Sequence, residues 1–141
     1  MTDVIKLKSG SKFEDLGSYS RLVAVDNLIF VALTAGRNPQ TKLIPVDLAE
    51  QTLQVLANIE TALQAIDASL ADVVASRVFV QFPEDIDVIM AAYADKMRGI
   101  DPALTLTSPR LGSPDYKVEI EMTAYRGAAT ANIKKIDLSA L

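Results

Sequence analysis

The segment from Lys117 to Tyr125 alternates between polar and apolar side chains, and this alternation constrains the fold more than any other feature. Successive side chains of a β-strand point to opposite faces, so a segment of this kind is a strand with one covered face. The covered face carries Val118, Ile120 and Met122. The other face carries the alternate side chains, which are Lys117, Glu119, Glu121, Thr123 and Tyr125. The chain is therefore expected to contain a β-sheet with another layer packed on one side.

Two predicted helices supply that layer. Asp47 is a favourable N-cap with Glu50 three residues later, and apolar residues then recur at helical spacing until the helix ends near Ala68-Ser69. Pro83 suits the first turn of a second helix, which Gly99 ends. The acidic run Glu84, Asp85 and Asp87 complements the dipole of that helix and is interpreted in this way rather than as a metal cluster.

The remaining apolar runs are predicted strands. Asp26-Asn27 separates two of them and suits a tight hairpin turn. The segment that leads to Ser18 reads as a loop. The predicted strands before the last one cover 4–8, 19–25, 28–33, 73–81 and 103–107. The fold class is therefore α+β, with a mixed β-sheet of about six strands and two helices packed on one face.

Two helices can cover only one face of such a sheet. The other face must be solvated or covered by a second copy of the chain. Val23, Val25 and Phe30 belong to strands of this sheet and make it too apolar for one side to remain in water. The sequence therefore predicts oligomerisation through the sheet.

Length and composition exclude several classes of protein. The 141 residues fit one domain, with 126–141 as a C-terminal extension. A net charge of −4 without a basic cluster argues against nucleic acid as a partner. No apolar run approaches the roughly 20 residues that span a bilayer, and the N-terminus does not resemble a signal peptide. We therefore expect a cytoplasmic protein without a membrane partner.

The chain contains neither histidine nor cysteine. Ser-His-Asp and Cys-His systems are excluded, and the usual ligands of a zinc site are missing. No metal or cofactor is predicted. Any proton transfer must use Asp, Glu, Lys, Tyr, backbone groups or water.

Several residues are candidates for a site, each with a simpler alternative. Glu119 and Glu121 are either solvated or paired with lysines, or one of them is partly buried and orients a water. Tyr19 follows Gly17-Ser18 and either packs or lines a site. Arg37 and Arg110 lie in loops and are candidate anion-binding residues or ordinary surface arginines.

The order and spacing of several motifs resemble the RidA/YjgF family, also called the reactive-intermediate deaminase or L-PSP endoribonuclease family. The resemblance covers roughly residues 15–126, and no single motif carries it alone. The matching segments are 16–20 (LGSYS), 25–31 (VDNLIFV), 38–39 (NP), 47–51, 54–59, 68–74, 78–80 and 117–124.

This resemblance implies a chorismate-mutase-like fold. It also implies a homotrimer whose sheets line a central barrel, with small-molecule clefts between neighbouring subunits. The well-studied branch hydrolyses enamines and imines, such as 2-aminoacrylate, to 2-keto acids and ammonia. By matching position, Tyr19 would line the cleft and Glu119 would position the attacking water as the catalytic residue.

One expected residue is absent. The family's Pro-Ala-Arg-Ser/Thr motif, whose arginine holds the substrate carboxylate, reads Pro102-Ala103-Leu104-Thr105 here, and its Ser-Gly-Gln reads Ala32-Leu33-Thr34. Leucine provides no charged hydrogen bond, so activity on 2-aminoacrylate should be weak or absent unless Arg21, Arg37 or Arg110 reaches the cleft. The expected ligand-binding residues are Tyr19, Leu33, Thr34, Leu104 and Leu106. Leu104 and Leu106 make the expected pocket more apolar, which indicates a neutral or larger ligand.

Three functions remain open. The first is a diverged imine or enamine deaminase acting on a small metabolite. The second is a binding or regulatory trimer that keeps the cleft without catalysis. The third is an endoribonuclease, which is the least supported because the chain is acidic and lacks histidine.

Overall fold

The computed structural model describes residues 1–141 and contains one six-stranded mixed sheet. Its strands are β1 (Val4–Leu7), β2 (Leu22–Val25), β3 (Leu28–Ala35), β4 (Val73–Val80), β5 (Ala103–Thr107) and β6 (Val118–Tyr125). The order across the sheet is β1-β2-β3-β6-β4-β5. All neighbouring strands are antiparallel except β4 and β5, which are parallel. The α+β class with a mixed six-stranded sheet is confirmed.

The three α-helices are α1 (Lys12–Gly17), α2 (Leu48–Gln64) and α3 (Ile86–Met97). Asp47 caps α2, since its carboxylate accepts a hydrogen bond from the Glu50 backbone N–H at 3.0 Å. Pro83 lies in a single 3₁₀ turn that leads into α3. Helix α2 ends at Gln64, a few residues before the predicted end.

The hydrophobic core lies between the sheet and the longer helices. The apolar face of β6 is buried, as its alternation predicts, and α2 and α3 contribute the opposing side chains. The core residues from α2 and α3 include Val55, Leu56, Ile59, Leu63, Ile89 and Tyr93. Burial of these apolar surfaces is the main force that holds the helices on this face.

Two local predictions were wrong. The segment before Ser18 contains α1, where a loop was expected, because Ser11 caps the helix and Ser18 ends it in a left-handed conformation. The second strand begins at Leu22 and leaves Tyr19 in the connection from α1. Tyr19 is therefore a loop residue that precedes β2.

Gln51 fixes the start of β6 against α2. Its side chain is buried, donates to the carbonyls of Pro45 and Asp115, and accepts from the backbone N–H groups of Lys117 and Val118. These four contacts hold the residue next to Glu119 in one position. None of the helices combines the length and the apolar composition that a bilayer-spanning segment needs.

Candidate functional site

The face of the sheet opposite the helices is open in the single chain. Its large apolar side chains remain well exposed, with Phe30 at 47% and Tyr125 at 50% of their full accessible surface. Strand pairing places Val23, Phe30 and Thr123 beside one another on this face. An apolar patch of this kind on a small protein indicates a surface that another molecule covers.

An ion pair crosses the middle of the open face. Arg77 on β4 donates from Nη1 to the Glu121 carboxylate at 3.0 Å. The two side chains border a shallow depression of about 430 Å³ that Phe30 and Thr123 also line. Glu121 is therefore paired, but with an arginine of its own chain rather than with a lysine.

Glu119 lies at one end of the open face. It pairs with Ala35 on β3 and with Phe79 on β4, which in turn pairs with Thr107 on β5. The carboxyl group is half-buried, and this burial raises its pKa above the ordinary value, although the nearby positive charge of Arg21 opposes the shift. A half-buried carboxyl group without an ion-pair partner is suited to proton transfer.

Arg21 is the centre of a hydrogen-bonded cluster near Glu119. Its Nε donates to the Glu14 carboxylate at 3.1 Å, and its Nη1 donates to the Leu33 carbonyl at 2.7 Å and to the Thr34 hydroxyl at 3.3 Å. Its Nη2 donates to the Tyr19 hydroxyl at 3.4 Å. The guanidinium therefore joins α1, the loop before β2 and the end of β3.

The β3 end of this cluster is shaped by a bulge between Val31 and Thr34. Thr34 is buried and donates its hydroxyl hydrogen to the Ala32 carbonyl at 2.7 Å, whereas Leu33 is exposed. The bulge turns the Leu33 carbonyl toward Arg21. Leu33 and Thr34 therefore both contact Arg21, Leu33 with its backbone carbonyl and Thr34 with its hydroxyl group.

Glu14 is the partner that the sequence patterns missed. Its side chain is fully buried and accepts hydrogen bonds from the Ser9 backbone N–H at 2.8 Å, from the Ser9 hydroxyl and from Arg21. Burial alone would raise the pKa of Glu14, but these hydrogen bonds and the Arg21 charge outweigh it and lower the pKa. Ser11 and Glu14 have the spacing of a capping box, and that signal would have located α1.

Tyr19 reaches the cluster because Gly17 leaves room for its ring. A Cβ atom at Gly17 would lie 2.8 Å from the Tyr19 ring. The ring also lies beside the Arg21 guanidinium, 5.5 Å from its centroid. Tyr19 and Arg21 are therefore positioned together by the turn that follows α1.

Leu104 and Leu106 lie elsewhere in the single chain. They pair with Ser76 and Val78, both of which are buried on the helix side of β4, so the two leucines point to the side opposite Glu119. Leu106 packs against the core, whereas Leu104 on the edge strand is 46% exposed. One chain therefore does not bring Leu104 together with Glu119.

The two loop arginines lie in connections at the same end of the sheet as Glu119, after β3 and β5. Arg37 donates to the Lys42 carbonyl at 2.6 Å and to the Tyr116 hydroxyl at 3.0 Å, and these contacts hold its loop. Arg110 is exposed. Arg21, rather than either of these, is the arginine that contacts Tyr19.

Comparison with known proteins gives a consistent result. The model of the family described as "Endoribonuclease L-PSP" matches residues 9–126. A RutC family protein of Pyrococcus horikoshii is 30% identical over 127 residues, which cover 89% of this chain and 99% of that protein. A 2-iminobutanoate/2-iminopropanoate deaminase of Escherichia coli is 29% identical over 79% of this chain and 89% of its own length. The crystal structure of a YjgF/YER057c/UK114 family member from Mycobacterium tuberculosis superposes with a TM-score of 0.79 at 34% identity, over 87% of this chain and 99% of that one.

Proposed function

Starting from the fact that this chain belongs to the endoribonuclease L-PSP family, also known as the RidA/YjgF family, we propose that it hydrolyses small imines or enamines. The active form would be a homotrimer with ligand clefts between subunits. The observation that carries the proposal is the half-buried Glu119 carboxyl group on the open face, under the influence of the Arg21 charge, with Tyr19 hydrogen-bonded to Arg21. The Escherichia coli relative named as an imine deaminase supports the class of reaction.

The chemistry requires one residue that takes and returns a proton. Glu119 removes a proton from a water as its oxygen attacks the C=N carbon, and it returns this proton to the nitrogen, which gives a carbinolamine. Glu119 then accepts the hydroxyl proton of the carbinolamine and passes it to the amino nitrogen, so ammonia leaves as the C–N bond breaks and the carbonyl forms. An enamine enters the same path after tautomerising to the imine. A carboxyl group with a raised pKa is suited to both transfers near neutral pH.

The exposed apolar sheet face supports the trimer. Phe30, Leu28, Val25 and Tyr125 are each at least one third exposed in the single chain. Covering them with other copies would remove this apolar surface from water. The same association would bring the exposed Leu104 of one copy into a cleft with Glu119 of another, which one chain does not do.

The substrate follows from the leucine at position 104. In the Pro-Ala-Arg-Ser/Thr motif of the family, the arginine clamps a carboxylate, and Leu104 removes that clamp. A carboxylate placed against leucine would lose hydration without compensation. We therefore propose that the preferred substrates lack this carboxylate and that 2-aminoacrylate is a poor substrate. RNA is not the proposed substrate, because the chain is acidic and lacks histidine.

The test measures ammonia release from a panel of imines and enamines that includes 2-aminoacrylate and uncharged compounds. The wild-type protein should accelerate hydrolysis of uncharged members, and Glu119→Gln should reduce the rate by about 10²–10⁴-fold. Glu121→Gln is the matched control, because it changes a neighbouring glutamate of the same strand face that is paired with Arg77. An inert panel, with thermal stabilisation by a metabolite instead, would favour a non-catalytic binding protein.

A further inference from the structure

Arg21 could replace the arginine that the family carries where this chain has Leu104. Its guanidinium donates a hydrogen bond to Tyr19, and its positive charge opposes the rise that burial causes in the pKa of Glu119. Whether it can replace a carboxylate clamp depends on the charges and donors around it. This role of Arg21 rests on the proposed function and decides which ligands the proposed cleft admits.

The donors of Arg21 are almost fully used. A guanidinium has five N–H groups, and four of them are directed to Glu14, Leu33, Thr34 and Tyr19. One Nη2 N–H therefore remains for a ligand. Tyr19 accepts from Arg21, so its own hydroxyl hydrogen is also free to donate. Arg21 and Tyr19 therefore each keep one free donor. A carboxylate clamp differs, because it presents two parallel N–H groups of a single guanidinium.

The charge of Arg21 is also cancelled. The Glu14 side chain is fully buried against it, and the Arg21 side chain is only 11% exposed. Despite burial, the hydrogen bonds from Ser9 and Arg21 lower the pKa of Glu14, so this carboxyl group is ionised beside the guanidinium and the two charges sum to zero. Ionised Glu119 then makes the cluster negative. An anionic ligand would lose its hydration here and meet no net positive charge in return.

We propose that Arg21 and Tyr19 together bind an uncharged acceptor oxygen of the substrate, and that Glu14 excludes carboxylates by neutralising Arg21. The substrate class is then an imine or enamine whose neighbouring group is an amide, ester or ketone carbonyl. Glu14 is a specificity-determining residue that acts through Arg21 and does not contact the ligand. Removing its charge should convert Arg21 into an anion receptor.

The probes are a matched pair of small carbonyl compounds, pyruvate and pyruvamide, which have the same number of non-hydrogen atoms and differ in charge. Calorimetric titration of the full-length wild-type protein should give tighter binding of pyruvamide. In Glu14→Gln, pyruvate affinity should rise about tenfold or more, because an uncompensated guanidinium near the ligand attracts the anion. Pyruvamide affinity should change much less, so the preference reverses.

A second variant is available if Glu14→Gln does not fold. Tyr19→Phe removes one donor from a half-exposed side chain and leaves the ion pair intact. It should weaken pyruvamide several-fold, as expected for a lost neutral hydrogen bond. Pyruvate should not become the tighter ligand, because Glu14 still neutralises Arg21 although one further Nη2 N–H becomes free. Tighter wild-type binding of pyruvate, binding of neither probe, or equal loss of both probes in Tyr19→Phe would overturn the proposal.

These outcomes are separate from those of the activity test. If pyruvamide is preferred but no imine is hydrolysed, the charge-neutral ligand site stands and the deaminase function fails. If uncharged imines are hydrolysed but pyruvate is the tighter ligand, the enzyme stands and the role of Glu14 is wrong. Each result therefore assigns failure to one of the two proposals.

Discussion

Leu104 and Glu119 lie on opposite faces of the same sheet, and strand β4 separates the two strands that carry them. A single chain therefore has no pocket that contains both side chains. Glu119 instead lies on the face whose apolar residues remain exposed, where the positive charge of Arg21 acts on it. The proposed cleft, which contains all of these residues, therefore requires another copy of the chain, and the proposed function depends on the proposed oligomer.

Replacing Leu104 by arginine should create or raise activity on 2-aminoacrylate. Each charged hydrogen bond to the substrate carboxylate contributes about 1.5–3 kcal/mol. One such bond corresponds to roughly tenfold or more in kcat/KM. The matched control is Leu104→Met, which keeps an apolar side chain of similar size. Steady-state ammonia release measures both variants, and an unchanged rate in Leu104→Arg would mean that the cleft differs from its relatives elsewhere too.

Glu119→Gln should stabilise the folded protein at neutral pH. Burial raises the pKa of Glu119 in the folded state, so the folded chain binds the proton more tightly than the unfolded chain does. The stability that this proton contributes is present below the ordinary carboxyl pKa, about 4.3, and is lost as pH rises through the folded-state pKa. Melting temperatures of the variant should therefore exceed those of the wild type at pH 7 and converge with them in acid. A variant that melts below the wild type at pH 7 would instead show that the fold stabilises the ionised carboxylate of Glu119.

Glu14→Ala should destabilise the fold far more than Asp15→Ala. Removing Glu14 leaves Arg21 and Ser9 without their buried partner, and breaking a buried ion pair costs about 3–5 kcal/mol. Asp15 is the neighbouring residue of α1, and its pair with Lys8 is exposed, so its loss costs about 1 kcal/mol or less. Chemical denaturation followed by circular dichroism measures both variants. Because the pKa of Glu14 is lowered in the folded state, the stability that its carboxylate contributes is lost as pH falls through that pKa.

Gly36→Ala should be strongly destabilising because of a backbone contact. A Cβ atom there would lie 2.6 Å from the Gln51 carbonyl oxygen in α2, which cannot move freely. Overpacking of this kind costs about 1–3 kcal/mol. Gly112→Ala is the control, since its Cβ atom would meet nothing within 4 Å. Equal unfolding midpoints for the two variants would contradict the tight approach of α2 to the end of β3.

The sequence predicted the sheet and its covered face because alternation reports burial directly. Val118, Ile120 and Met122 are buried as expected, and Asp47 caps α2 as its position indicates. Strand β5 covers the predicted residues, Ala103–Thr107. These features depend on local residue types and on one face being dry, and both are visible in a single sequence.

The site was less predictable because it depends on contacts between distant segments. The Glu14–Arg21 ion pair joins α1 to the residue that precedes β2. A single glutamate in a sequence does not indicate which arginine it will pair with. Leu104 and Leu106 alternate with threonines, and this alternation alone indicates that the leucines face the core side of β5. The expectation that they line a cleft came from the family resemblance instead. Contacts between copies of a chain produce no periodic pattern in its sequence, apart from apolar residues on the open face of the sheet.

The native mass of the protein tests the central claim, that other copies cover the open sheet face, most directly. Sedimentation equilibrium of the wild-type protein at micromolar concentration should give the mass of three chains. Phe30→Asp should dissociate this assembly, whereas Val88→Asp, which changes a side chain of similar exposure on α3, should not. A wild-type mass of one or two chains, or equal masses for the two variants, would contradict the account.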